Sequence, residues 1–309
     1  MNYNDKIYVC GHTGMVGSAI LRRLQLAGYV NLHTRTIQEL DLRRQSEVEA
    51  FFADIKPSYV FLAAAKVGGI QANIDWPADF AYDNMMIQSN IIHSAYLNGV
   101  RKLLFLGSSC IYPRECPQPM KEEHLLTGKF EGTNEAYAIA KVAGLKMCQY
   151  YREQYGADFI SVMPPNIFGY YDNFDPASSH VAAALLRRFH EAKVGDATEV
   201  VVWGTGTPRR EFLFVDDLAD ACLFAMLNYS EGVHLNVGVG NDITIAQLAE
   251  LIAKTVGFSG NIVFDTSKPD GMPRKVLDVS RVNALGWSAQ TSWEEGFRKT
   301  YQWYLENRA

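Results

Sequence analysis

The stretch that decides the fold is Ile7-Tyr-Val-Cys-Gly11-His-Thr-Gly14-Met-Val-Gly17, near the amino terminus. Its first four residues are apolar and predict a short buried strand, and the periodic apolar residues that follow predict a helix over 16–26. The three glycines lie between the two elements. A dinucleotide-binding loop needs glycine there, because the chain turns tightly and approaches a pyrophosphate at the helix amino terminus. The stretch therefore predicts a strand, a nucleotide loop and a helix.

The same alternation of apolar strands and helices continues to about residue 166. Strands are predicted over 58–65, 102–106 and 159–163, and helices over 81–97 and 135–151. Beyond this point the sequence is rich in turn residues, with helices predicted over 181–192, 244–256 and 293–307 and a strand over 200–203. Apolar strands separated by helices indicate a parallel sheet that is covered on both faces.

We therefore expect an α/β fold with two domains. Residues 1–166 are predicted to form a doubly wound parallel sheet of the Rossmann type, which binds the dinucleotide. Residues 167–309 are predicted to form a smaller mixed α/β lid that binds substrate, with part of 211–241 packing back on the first domain.

Composition excludes several classes of protein. The net charge is −5 and the basic residues cluster only in pairs, which argues against a nucleic-acid partner. The five cysteines are odd in number and lack CxxC spacing, so we expect reduced thiols and no metal site. With no signal-peptide pattern and no apolar run of about 18 residues, we expect a cytoplasmic protein without a membrane partner.

The segment Tyr137-Ala-Ile-Ala-Lys141 carries the first chemical signal. Tyrosine and lysine four residues apart on a helix share one face. A lysine ammonium favours phenolate over phenol, so we expect the pKa of Tyr137 to move towards neutrality. Ser108 follows the predicted strand over 102–106 and would bring a hydroxyl to the same sheet edge. The three side chains predict a proton-transfer site for a carbonyl substrate.

The cofactor site is predicted from the glycine loop onwards. At 18 positions after Gly17, where an NAD-preferring site places an acid, the chain has Arg35 between two threonines. A cation flanked by hydroxyl groups suits a 2′-phosphate, so we predict NADP(H). The other predicted cofactor contacts are the loop (Gly11, His12, Thr13, Gly14, Met15, Val16 and Gly17), Asp41 and Leu42 for adenine, and Ala63, Ala64 and Ala65 towards the nicotinamide.

Further motifs add a family resemblance. They are Ala63-Ala-Ala-Lys-Val-Gly-Gly-Ile70, Gly107-Ser-Ser-Cys-Ile-Tyr-Pro113, Asp172-Asn-Phe174, Ser179-His180-Val181, Trp203-Gly-Thr-Gly-Thr-Pro-Arg-Arg-Glu-Phe212 and Lys268-Pro-Asp-Gly271. With the residues above, they resemble the extended short-chain dehydrogenase/reductase family over nearly the whole chain, in particular members that act on GDP-4-keto sugars. The resemblance implies a homodimer. It also implies cofactor contacts from Leu106, Gly107, Lys141, Pro164, Asn166, Ile167 and His180.

The resemblance further implies an activity, namely NADPH-dependent epimerisation at C3 and C5 and reduction at C4 of a GDP-4-keto-deoxy-mannose-type sugar. Ser108 and Tyr137 would polarise the C4 ketone and make the neighbouring protons acidic. Cys110 would remove a proton and His180 would return one, since the unperturbed pKa of histidine lies near neutrality. Lys141 would hold the tyrosine and the cofactor ribose.

The nucleotide part of the substrate would contact the second domain. Arg188 and Arg210 can pair with pyrophosphate oxygens, Trp203 can stack on a base or sugar, and Asp270 can accept hydrogen bonds from hydroxyls or a guanine edge. The sequence departs from the family pattern at Pro165 and at 170–171, near the expected sugar pocket. A 6-deoxy, a 3,6-dideoxy and a heptose sugar therefore stay open. Two alternatives also stay open: a C4 reductase without epimerisation, and a non-catalytic NADP-binding regulator.

Overall fold

The computed structural model describes residues 1–176, 178–268 and 270–308, so Pro269 of the 268–271 motif lies outside the described residues. The strands, in chain order, are β1 Ile7–Cys10, β2 Leu32–His33, β3 Tyr59–Leu62, β4 Lys102–Leu106, β5 Asp158–Met163, β6 Asn166–Phe168, β7 Glu199–Trp203, β8 Arg209–Arg210, β9 Phe212–Phe214, β10 Leu235–Asn236, β11 Ile243–Thr244, β12 Asn261–Asp265 and β13 Arg274–Lys275.

The helices are α1 Met15–Leu26, α2 Gln45–Ile55, α3 Ile70–Asp75, α4 Pro77–Leu97, α5 Glu135–Tyr155, α6 Val181–Val194, α7 Val215–Asn228, α8 Ile245–Val256, α9 Ser280–Ala284 and α10 Trp293–Asn307. Short 3₁₀ turns occupy Ser109–Ile111, Glu122–His124 and Gly132–Asn134. None of the helices in the described part of the chain combines the length and apolar character needed to cross a lipid bilayer.

A parallel sheet of six strands forms the centre of the molecule, in the order β10-β5-β4-β3-β1-β2. The predicted doubly wound α/β fold is thereby confirmed. The edge strand β10 comes from the later half of the chain and pairs with the end of β5, Leu235 opposite Val162. The carboxyl ends of β1, β3 and β4 meet at one edge, which is where ligands bind in open sheets of this type.

Two cores lie on opposite faces of the sheet because successive strand residues point to opposite sides. Ile7 and Val9 of β1 enter a core that α1 and α7 share, whereas Tyr8 and Cys10 enter a second core against α2, α4 and α5. The elements α6, α8, α10, β7, β8 and β11 to β13 form the region that we call the lid. The first core continues into this region, where it includes Leu185 of α6 and other apolar residues of α8 and α10. Burial of apolar side chains across this junction joins the lid to the sheet.

The lid itself is built from small sheets. Strands β7 and β12 pair in parallel, and β8 lies between β11, which is antiparallel to it, and β13, which is parallel to it. This pairing sets Lys275 opposite Arg210, a juxtaposition that matters for the site.

Several element boundaries differ from the sequence predictions. The strand predicted over 58–65 ends at Leu62, which leaves Ala63 to Ala65 in the loop at the sheet edge. Helix α4 starts earlier than predicted, with Pro77 in its first turn, where the missing N–H of proline costs no hydrogen bond. Helix α2 was not predicted, although Val48 and Phe52 supply a buried face at helical spacing.

Candidate active site

The glycine loop forms a tight cradle between β1 and α1. Gly11 has φ +80°, and a side chain there would lie 2.8 Å from the backbone of Ala64. A side chain on Gly17 would overlap the carbonyl of Gly11. Gly14 caps α1 without a side-chain hydrogen bond, so the first N–H groups of that helix face the loop. His12 Nδ1 is buried and has no hydrogen-bond partner among the described residues. A pyrophosphate fits these features, since it would accept from the helix and from such a nitrogen.

Helix α5 brings Lys141 to the end of β4, where its Nζ donates to the carbonyl oxygen of Leu106 at 2.9 Å. The same Nζ lies 5.8 Å from the ring centroid of Tyr137. Tyr137 lies close enough to Ser108 for the serine hydroxyl to lower its pKa, and it packs edge-on against Phe80 of α4, with ring centroids 6.4 Å apart. The structure thus places the three side chains of the predicted proton-transfer site together.

The expected shift of the tyrosine pKa is wrong. Burial raises the pKa of Tyr137, and the neighbouring Cys110 raises it further, while the nearby hydroxyl of Ser108 opposes them. Burial also lowers the pKa of Lys141 to about 7. The lysine is therefore only partly charged near neutrality, which weakens its stabilisation of a phenolate in the free enzyme. The phenol keeps its proton, which suits a group that donates a proton to a developing alkoxide.

Cys110 lies in the 3₁₀ turn that follows β4. Its backbone N–H donates to Ser108 Oγ at 3.2 Å, so the thiol and the hydroxyl belong to one turn. Two side chains that the sequence analysis missed donate towards the sulfur: Asn134 Nδ2 at 3.2 Å and Lys275 Nζ at 3.5 Å. Spacing offers no signal for Lys275, which is 165 residues away and arrives through the β8–β13 pairing. Asn134 is only three residues before Tyr137, and that proximity was the available signal.

His180 is the residue immediately before α6 and makes no side-chain capping bond there. The segment ahead of it packs against the loop before α3: Gly69 N–H donates to Ser178 O at 2.9 Å, and a side chain on Gly69 would lie 2.7 Å from Ser179 O. His180 is exposed to solvent, and partial desolvation by neighbouring protein atoms lowers the pKa of its imidazole. The lowered pKa favours the neutral imidazole, so His180 must first take up a proton before it can return one to a substrate.

The predicted adenine and ribose contacts lie around β2 and the following turn. Arg35 donates to Thr34 O at 2.7 Å, and its guanidinium lies 5.2 Å from the ring centroid of Phe51, so the cation is held beside the strand end. Asp41 accepts from Arg43 Nε at 2.9 Å, which lowers the pKa of that carboxyl. Leu42 O accepts from Asn90. The Asp41 side chain is thus already engaged within its own turn.

The remaining predicted cofactor contacts follow the ends of β4 and β5. A side chain on Gly107 would overlap Met163, so glycine keeps these strand ends in contact. Pro164 O accepts from the Ser109 N–H at 3.0 Å. Asn166 Nδ2 donates to Glu211 O at 3.0 Å, and Ile167 pairs with Leu213 in the β6–β9 ladder.

The predicted nucleotide contacts form two groups in the lid. In the first, Trp203 is 62% exposed and is no part of the core. Arg188 of α6 and Lys268 lie over its indole, with charge-to-centroid distances of 5.5 and 5.4 Å. An exposed aromatic ring with two cations offers a surface for a base or a diphosphate. Lys268 belongs to the 268–271 motif, but no role was predicted for it from the sequence.

In the second group, Arg210 donates to Met272 O at 2.6 Å. Burial lowers the pKa of the Arg210 guanidinium, and the nearby carboxylates of Glu131 and Asp270 partly oppose this shift. Asp270 accepts from the Thr205 N–H at 2.9 Å and from Thr205 Oγ1 at 2.7 Å. Asp270 therefore holds the turn after β7, a role that spacing did not predict. Among the described residues, no three His, Cys, Asp or Glu side chains are grouped to hold a metal ion.

This chain is similar to several known proteins over almost its whole length. The model of the NAD dependent epimerase/dehydratase family matches residues 7–238. GDP-L-fucose synthase 1 of Arabidopsis thaliana is 59% identical over 98% of this chain and 94% of its own. A GDP-6-OMe-4-keto-L-xylo-heptose reductase from C. jejuni has a TM-score of 0.95 at 39% identity, covering 100% and 99% of the two chains. A GDP-L-fucose synthetase from Naegleria fowleri bound to NADP has a TM-score of 0.91 at 32% identity, covering 99% and 96%.

Proposed function

We propose, on the premise that this chain belongs to the NAD dependent epimerase/dehydratase family, that it synthesises GDP-L-fucose. The substrate is a GDP-4-keto-6-deoxy-mannose sugar, which the enzyme epimerises at C3 and C5 and reduces at C4. Residues 1–166 bind the cofactor and residues 167–309 bind the GDP-sugar. Relatives named as GDP-L-fucose synthases, similar to this chain over almost its whole length, support this assignment.

The cofactor is NADP(H), which supplies the hydride for C4. The loop around Gly11 and Gly17 holds the pyrophosphate, and the guanidinium of Arg35 contacts the 2′-phosphate. Leu106, Gly107, Pro164, Asn166 and Ile167 line the nicotinamide side of the site. Support comes from the cradle geometry and from the related synthetase that binds NADP.

In the reduction step, Ser108 Oγ and the Tyr137 hydroxyl hydrogen-bond the C4 carbonyl oxygen and stabilise the negative charge that develops there. Tyr137 then gives its proton to that oxygen. Its raised pKa keeps the phenol protonated up to the moment of transfer. Lys141, anchored to Leu106 O, holds the phenol and contacts the ribose.

The observation that carries the epimerase assignment is the position of Cys110, in the same turn as the carbonyl-binding Ser108. Polarising the C4 carbonyl acidifies the protons at C3 and C5, and a thiolate two residues from Ser108 is placed to remove them. His180, on the wall formed by α6, returns a proton to the other face. A reductase that leaves C3 and C5 unchanged needs neither side chain.

The product decides between these activities. Purified protein is incubated with NADPH and GDP-4-keto-6-deoxy-mannose in deuterated water, and the product is characterised by NMR. We expect GDP-L-fucose with deuterium at C3 and C5. Reduction that leaves both centres unchanged and unlabelled would assign the chain as a C4 reductase. No NADPH oxidation with any GDP-4-keto sugar would favour a regulator.

We further propose that the protein works as a cytoplasmic homodimer. Exposed aromatic side chains on the outer helices support self-association: Tyr82 of α4 and Tyr150 and Tyr155 of α5 are 60%, 58% and 47% exposed. Five free cysteines suit a reducing compartment. Sedimentation equilibrium tests the dimer, and a monomer at micromolar concentration would contradict it.

A further inference from the structure

Asn134 stands at the amino terminus of α5 but does not cap it. Asparagine at this position usually accepts a hydrogen bond from an N–H of the first turn. Here the side chain makes no capping bond. It turns instead towards the active site, where Nδ2 donates to Cys110 Sγ at 3.2 Å. The side chain of Asn134 is therefore available to contact the active-site thiol, although asparagine is a residue type that commonly caps a helix.

The oxygen of the same carboxamide makes no hydrogen bond to the described residues. Asn134 Oδ1 is buried and has no hydrogen-bond partner among the described residues. A buried acceptor without a donor is costly, so such an atom in a binding site is expected to meet a donor from a ligand. The donors that the sugar ring of a GDP-4-keto sugar can offer to such an atom are its hydroxyl groups.

The sulfur that Asn134 contacts has a second N–H donor, since Lys275 Nζ lies 3.5 Å from Sγ. Two N–H donors, one of them cationic, therefore point at the sulfur, and N–H donors of this kind suit the thiolate, the form of cysteine that removes a proton from carbon. Lys275 is held by the pairing of β13 with β8, and Glu211 Oε2 accepts from the Leu277 N–H just beyond it. The neutral donor, Asn134, sits directly ahead of the helix that carries Tyr137.

We propose that Asn134 is a positioning residue that joins the sugar to its base: Nδ2 holds the Cys110 thiolate and Oδ1 accepts a sugar hydroxyl. The inference rests on the proposed epimerase activity. In that step a C–H bond at C3 or C5 breaks, the proton passes to sulfur, and the electron pair moves onto the C4 carbonyl oxygen. Asn134 exchanges no proton; it orients the sulfur and the ring towards each other.

Two substitutions separate the parts of this role. Asn134→Asp keeps an acceptor oxygen but replaces the donor to sulfur with a negative charge. Asn134→Ser removes both contacts, because the side chain is too short, yet serine is a good residue with which to start a helix. If Asn134 acted only at the helix start, Asn134→Ser would behave as the wild type.

The first measurement needs no substrate. Iodoacetamide alkylates exposed thiolates, and of the five cysteines only Cys110 is partly exposed, the other four being at most 8% exposed. With Cys110→Ser as the background, we expect alkylation near neutral pH to slow roughly 10–100-fold in both variants, as for a lost hydrogen bond to a charged group. Wild-type alkylation rates in Asn134→Ser would overturn the proposal.

The second measurement follows the proposed reaction. The rate of deuterium exchange at C3 and C5, divided by the rate of C4 reduction, should fall in both variants by roughly the same 10–100-fold. The affinity for the GDP-sugar should weaken only in Asn134→Ser, since Asn134→Asp keeps the acceptor. An unchanged ratio in Asn134→Asp would refute the role. If the wild-type protein shows no deuterium exchange at C3 and C5, the epimerase assignment is wrong. The alkylation rates still test whether Asn134 stabilises the Cys110 sulfur, because that measurement needs no substrate.

Discussion

Lys141 Nζ donates to the carbonyl oxygen of Leu106 at 2.9 Å, which fixes α5 against the last residue of β4. Ser108 lies two residues beyond β4 and Tyr137 lies one helical turn before Lys141, so this bond helps to hold the serine hydroxyl and the phenol at the same sheet edge. The lysine acts here as an anchor between two elements. Its lowered pKa, about 7, is the consequence of the burial that this anchoring requires.

Removal of the phenol hydroxyl should stop reduction but spare cofactor binding. Tyr137→Phe keeps the ring that packs on Phe80, and it deletes only the proton donor. We expect turnover to fall by roughly 10²–10⁴-fold, the usual contribution of a positioned general acid. NADPH oxidation measures the rate, and fluorescence titration measures cofactor affinity. Near-normal turnover would remove Tyr137 from the mechanism.

Cofactor preference should depend on Arg35. We expect Arg35→Ala to weaken NADPH binding by about 1–3 kcal/mol, because a charged hydrogen bond to the 2′-phosphate is lost, with a smaller effect on NADH. The matched control is Arg101→Ala, since Arg101 has a side chain that is 61% exposed and pairs with Asp5 at 3.5 Å, away from the predicted cofactor contacts. Dissociation constants for both cofactors decide the point. Equal losses for NADPH and NADH would show that Arg35 does not read the phosphate.

Epimerisation should be separable from reduction. Cys110→Ser replaces the thiol with a hydroxyl, which ionises far less readily, so exchange of the C3 and C5 protons with deuterated water should be abolished. Ketone reduction should continue and give a product with the starting configuration. Cys116→Ser serves as the control, because Cys116 is a buried thiol that contacts His124 rather than the site. Undiminished exchange in Cys110→Ser would contradict the role of the thiol as base.

A buried carboxyl makes stability depend on pH. Burial raises the pKa of Asp172 to about 7 from its ordinary value of 3.8, and the hydrogen bond that the carboxylate accepts from the Asn173 N–H only partly opposes this. The folded protein therefore binds the proton more tightly than the unfolded chain. The contribution of this carboxyl to the free energy of unfolding is fully present below about pH 4 and is lost as the pH rises to about 7.

Asp172→Asn replaces the carboxyl with an amide that does not titrate, so the decrease in stability between pH 4 and pH 7 should disappear. The amide oxygen still accepts from the Asn173 N–H. We expect the variant to be more stable than the wild type at pH 8 by on the order of 1–4 kcal/mol, with the advantage shrinking towards pH 4. Urea unfolding at several pH values measures it. Asp54→Asn, which changes an exposed aspartate on α2, is the control. A variant whose advantage is the same at pH 4 and pH 8 would refute the assignment.

Local sequence determined the local structure. The apolar strands, the glycine loop and the Tyr137–Lys141 spacing are short-range patterns, and a parallel sheet follows from them because buried strands joined by helices have few other arrangements. Helix α2 was not predicted, although its buried residues are spaced as in a helix. The sequence therefore contained the signal for this helix.

Tertiary structure decided what surrounds each reactive group. Lys275 reaches Cys110 across 165 residues because β13 adds to β8, and no short-range pattern contains that pairing. The direction of the Tyr137 pKa shift followed from burial, which the spacing of two residues on a helix does not express. The exposure of Trp203 and the engagement of Asp270 with Thr205 likewise depend on how the lid strands pack. Sequence periodicity reports which face of an element is apolar, whereas charge, burial and hydrogen bonding at a site depend on elements that only folding brings together.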